Sequence, residues 1–232
     1  MAIISVGGGI QIGPGITIGS NIVEDGLVVQ LTGSSYPGSG STWTDLVGGD
    51  NNATLVNSPV YSSNNGGYFT FDNTATQYAT LAGSPLNTNS YTKSVWFYLN
   101  GTNDNNLASF SDPGGHFMFF NATNKLYCGH TAWTGFPTTY PSTASFSNFT
   151  WYNAVLTFNT TDGMKLYING ALDSSYTAQK TAPTATGMNL ACYAPGGNLL
   201  RGRIAEVLIY NRSLTIGEVQ KNFNATRSLF GI

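Results

Sequence analysis

The chain has 232 residues, only 9% of them charged, with a formal net charge of -2. Such a weak field leaves no electrostatic footprint for nucleic acid or an anionic membrane surface, and no stretch nears the ~18 consecutive apolar residues of a spanning helix. Neither nucleic acid nor membrane insertion is therefore expected. The chain opens on an uncharged arm whose core reads GGGIQIGPGITIG, Gly7 to Gly19. In it Ile10 alternates with Ile12 and Ile16 with Ile18, so that an extended chain places all four on one face, with Pro14 marking an edge or turn. The arm (1–23) is expected to dock by strand addition on a partner or on copies of itself, and the remainder (24–232) to form one domain. The N-terminus lacks the basic and continuous apolar regions of a secretory signal, so general export is not expected.

Short β-branched or aromatic runs bounded by Asn, Gly, Pro or Asp follow one another: GLVVQL, ATLVNSPVYS, GGYFTFDN, QYATL, YTKSVWFYLNG, HFMFFN, KLYCGH, FTWYNAVLTFN, MKLYING, ALDSSY, MNLACYA and LRGRIAEVLIYN. This rhythm predicts an all-β sandwich or barrel. Tight turns with positive φ are predicted at Asp162-Gly163 and Asn169-Gly170. SLTIGEVQKNFNATRS alone reads as a helix, with Ser213 as N-cap and Val219, Phe223, Leu214 and Ile216 facing inward. Cys128 and Cys192 are read as buried free thiols.

Taken in order, these segments resemble the concanavalin A-like lectin/glucanase superfamily, specifically its laminin G-like and pentraxin-like jelly-roll domains. The resemblance is carried by GLVVQL, YPGSGSTWTDLVGGDNNATLVNSPVYSSNNGGYFTFDN, SVWFYLNG, WYNAVLTFNTTDGMKLYINGAL and GRIAEVLIYNRSLTIGEVQKNFNATRSLFGI. It implies an all-β, two-sheet antiparallel jelly-roll sandwich with one short C-terminal helix and an extended N-terminal arm. Phe223 would then cover one rim.

Glucan-cutting enzymes of that superfamily need carboxylates on one strand, with nucleophile and acid about 5 Å apart. The acidic residues here, Asp72, Asp104, Asp112, Asp162, Asp173, Glu206 and Glu218 among them, are scattered, so the chain is read as no enzyme, without catalytic residues, cofactor or metal site. Calcium, common in such domains, would need a ligand cluster that the sequence does not offer. Both histidines are read as surface or rim residues. Sugar recognition uses aromatic faces with neighbouring polar groups. YCGHTAWTGFPTTYP, from Tyr127 to Pro141, reads as a loop presenting aromatics, with Tyr127, His130, Trp133 and Phe136 as candidate glycan contacts.

The arm in front of such a domain also resembles proteins of bacteriophage virions, in which these jelly rolls serve as capsid decorations or fibre tips. The expectation is a non-enzymatic virion-surface protein of the capsid-decoration type, made in the host cytoplasm and held by its arm to other virion proteins and copies of itself. The second reading is a tail-fibre adhesin that recognises host-surface glycan.

Overall fold

The computed structural model describes the backbone at Ser5–Val6 and Gly9–Ile10, and residues 22–86, 89–101, 105–110, 115–121, 123–130, 140–178, 180, 182–184 and 186–232. Its strands are β1 (Ser5–Val6), β2 (Gly9–Ile10), β3 (Leu27–Thr32), β4 (Thr42–Trp43), β5 (Ala53–Val56), β6 (Val60–Ser62), β7 (Tyr68–Phe71), β8 (Tyr78–Leu81) and β9 (Ser90–Leu99). The second half adds β10 (Asn105–Asn106), β11 (Ala108–Ser109), β12 (His116–Phe120), β13 (Leu126–His130), β14 (Trp151–Asn159), β15 (Gly163–Ile168), β16 (Ala171–Tyr176), β17 (Asn189–Leu190) and β18 (Gly202–Tyr210), followed by helix α1 (Ile216–Thr226). The segments read as strands are strands, and the jelly-roll-like antiparallel architecture agrees with the sequence. β1 pairs with β2 in the arm, while Ile12, Ile16 and Ile18 lie outside the described residues, as does the side chain of Ile10.

The larger sheet runs β16-β15-β14-β9-β18-β7-β6, with β3 on the second half of β18. A bulge between Ile204 and Glu206 lies between the stretch of β18 that pairs with β7 and the stretch that pairs with β3. The facing layer is two sheets, β11-β17-β8-β5-β4 and β10-β12-β13, where a single sheet was expected. Leu107, between β10 and β11, is the joint: its N–H donates to Met118 O and its carbonyl accepts from Ala191 N, so it bonds to both sides.

Period-two alternation fills the space between the layers. Tyr91, Val95, Phe97 and Leu99 of β9, with Leu156 and Phe158 of β14 and Ile204, Val207 and Ile209 of β18, meet Trp43, Leu55, Leu81, Met118, Phe120, Leu126 and Leu190 in one buried core. The central strands are buried on their other face too. There α1 sets Val219 against Val155, Tyr167, Leu208 and Tyr210, while Phe223 and Phe230 stack on Trp96 at 5.7 and 4.0 Å between ring centroids. Phe223 therefore covers the sheet's outer face rather than a rim.

The turns form as predicted. Gly163 takes φ +83°, and Asn169 and Gly170 take +49° and +76°, the left-handed pair of a tight hairpin. The helix begins two residues later than Ser213. Thr215 is the N-cap, in a capping box with Glu218, because Ser213 and Leu214 give their N–H groups to Ser90 Oγ and Thr92 Oγ1 on β9. Ile216, expected inward, is 48% exposed.

Candidate functional site

The aromatic stretch singled out in the sequence begins on the β12–β13 hairpin. Tyr127 is half-buried and stacks on its cross-strand partner Phe119, with 5.5 Å between centroids and 24° between planes. Alternation along β13 turns Leu126, Cys128 and His130 to the core and Tyr127 away from it. His130 is accordingly 2% exposed, and its Nε2 shares a 2.6 Å hydrogen bond with the Tyr91 hydroxyl. It is an interior residue and not the rim contact the sequence suggested. Trp133 and Phe136 lie outside the described residues. Tyr140, at the far end of the stretch, packs edge-on against Tyr176.

Beneath this hairpin lies a polar cluster that sequence reading missed. His116, the cross-strand partner of His130, is fully buried, and its Nε2 lies 2.8 Å from Gly187 O. A carbonyl can only accept, so Nε2 carries the proton and Nδ1 of the neutral ring accepts from Lys93 Nζ at 3.1 Å. Lys93 Nζ also donates to Ala108 O at 3.0 Å. Burial pulls Lys93 down to about 7 and His116 well below the ordinary histidine range, where the nearby ammonium adds to the effect. Burial likewise pushes the Cys128 and Cys192 thiols up to about 12, and both are free. The thiols are thus protonated and poorly nucleophilic at neutral pH. A signal for the cluster was present: Lys93 shares the parity of Tyr91, Val95 and Phe97, the inward face of β9.

Asp173, Asp72, Asp45 and Glu218 each hold local structure. Asp173 accepts from Thr143 and Ala144, clamping the loop after β13 to β16. Asp72 caps a turn through Thr74, and Asp45 accepts from Gln30 N and Val47 N. Glu218 pairs with Arg212 at 2.6 Å, which holds its carboxyl at about 2. Glu206 of β18, 8% exposed, is pushed up to about 7 by burial alone. Asp104 and Asp112 lie outside the described residues. No group of three or more His, Cys, Asp or Glu side chains placed to hold a metal occurs among the described residues.

A two-layer sandwich with a helix on its outer face, aromatic strand pairs and dispersed carboxylates defines a lectin-like domain. The family model of the concanavalin A-like lectin/glucanases superfamily matches residues 72–220, and the chain belongs to that family. No curated protein matches it in sequence. Among solved structures it is similar to Trypanosoma rangeli sialidase in complex with the inhibitor DANA (TM-score 0.68, 17% identity), over 87% of this chain and 33% of that one. It is also similar to the receptor-binding domain of botulinum neurotoxin type G (TM-score 0.66, 13% identity), over 86% and 51% respectively. A third is domain 4 of a GH43 extracellular arabinanase from Geobacillus stearothermophilus, in complex with arabinotriose (TM-score 0.67, 16% identity), over 88% and 100%. The chain spans about a third of the sialidase's length, so the likeness is one of fold.

Proposed function

We propose that this chain is a non-catalytic saccharide-binding module, displayed on a virion surface and held there by its Gly/Ile-rich arm. The observation that carries the reading is the arrangement of the acidic side chains: the glycosidase constellation needs two carboxyls facing each other across a cleft, whereas Asp72, Asp173 and Glu218 are spent on a turn, a loop clamp and an ion pair, and Glu206 is buried. Two similar folds support binding as the alternative. One is a receptor-binding domain, and the other, solved with arabinotriose, matches over all of its own length and 88% of this chain.

The arm supports the display half of the proposal. Uncharged and rich in glycine and isoleucine, it suits strand addition to other virion proteins or to copies of itself, with the sandwich left facing outward as a capsid decoration or fibre tip. The test is a glycan array probed with the full chain. Saturable binding to a restricted set of saccharides is the expected result, and no binding across neutral and charged glycans would overturn the lectin reading.

A further inference from the structure

The outer face of the larger sheet is covered by α1 and the following turn over Trp96 and, through Phe230, over Trp151, whose ring centroid lies 5.0 Å from that of Phe230. One row further along that face, five residues stand side by side in register: Trp151 on β14, Tyr98 on β9, Arg203 on β18, Thr70 on β7 and Val60 on β6. Trp151 is 7% exposed, so the open part of the row runs from Tyr98 to Val60, three strand spacings or about 14 Å, enough for a few sugar rings. Phe149 adjoins one end at 68% exposure, and Val60 closes the other at 65%.

Two features of the row go unexplained by folding. Arg203 sits over two aromatic rings, its Cζ 4.4 Å from the Tyr98 centroid and 4.8 Å from that of Tyr68. Among the described residues no carboxylate pairs with it, and its Nε is shut off from water without an acceptor. The two rings stabilise the guanidinium and fix where its fork lies, and they leave its charge without a counterion, which an anionic ligand would supply. Phe149, for its part, holds φ +63° through its N–H bond to Leu99 O, which aims an apolar ring at solvent beside Tyr98. Strained backbone and an exposed ring together cost stability with no core contact in return. Next to it, Asn148 Oδ1 is buried without a donor.

We propose that this row is the binding site, and that its ligand is a carboxylate-bearing saccharide. Phe149 and Tyr98 offer faces to the apolar C–H faces of pyranose rings, while Arg203, its planar fork oriented by the two tyrosines, receives the carboxylate. The inference rests on the saccharide-binding reading and names the site and the ligand charge.

Isothermal titration of the full chain against trigalacturonate and sialyllactose, each beside its uncharged counterpart galactotriose or lactose, tests it, and the two acidic probes separate a uronate from a sialate ligand. At least one acidic member is expected to bind about tenfold or more tightly than its neutral counterpart, a difference of about 1.4 kcal/mol. Arg203→Gln should abolish that preference, and Phe149→Ala, which leaves the core intact, should weaken binding severalfold. Arg203→Lys, which keeps the charge and loses the fork, should fall between and serves if the glutamine variant does not fold. Equal binding of acidic and neutral members, or a preference that survives Arg203→Gln in a folded protein, would overturn this site while the lectin reading stands. Absence of binding to any saccharide would overturn both.

Discussion

Two buried ionisable groups set opposite pH dependences. Glu206 has its folded-state pKa raised from 4.5 to about 7, so the native state holds its proton longer than the unfolded one, and this contribution to stability is lost as pH rises between those values. Lys93 is lowered from 10.5 to about 7, so the unfolded state binds the extra proton and stability rises with pH across that window. Glu206→Gln should therefore flatten the acid-side dependence and raise stability at pH 8 by on the order of 2 kcal/mol, as read by urea unfolding at several pH values. An unchanged profile would mean that the carboxyl is solvated in the native state. At this scale the sequence was partly legible. The parity of Leu126 and Cys128 assigns His130 to the core, whereas the partners of Lys93, Ala108 O and His116, lie in the facing layer, 15 and 23 residues on, and no local pattern pairs them with it.

Secondary-structure elements were the most legible. Val/Ile/aromatic runs became strands because alternation lets each bury a face, and the Asp-Gly and Asn-Gly pairs became turns because Gly163, Asn169 and Gly170 accept positive φ. The helix start was misplaced because Ser213, a competent cap, has its N–H drawn to β9, while the T-x-x-E pattern of a capping box sits two residues on. The β15–β16 turn gives a sharp test. Gly170 has φ +76°, and a Cβ there would meet the Phe223 ring at 2.8 Å, so Gly170→Ala should strain the turn and displace α1 together. A loss above about 1 kcal/mol is expected from the backbone alone, and thermal melts should show it. Gly217, where a Cβ meets nothing within 4 Å, provides the control site on the same helix.

At the level of the whole molecule, the family was readable because its strands and turns recur in order, while the Tyr98–Arg203 row was not. Its members sit on five strands spread from Val60 to Arg203, and only the register brings them into line. The proposed division of labour between arm and sandwich has its own consequence: deletion of residues 1–20 should leave a folded, saccharide-competent domain that no longer enters particles, and retained incorporation would remove the anchoring role. Binding without turnover is the central claim. The most direct measurement is the mass of a saccharide selected on the glycan array after prolonged incubation with the full chain. Recovery of the intact mass is predicted, and a shortened saccharide would contradict the account.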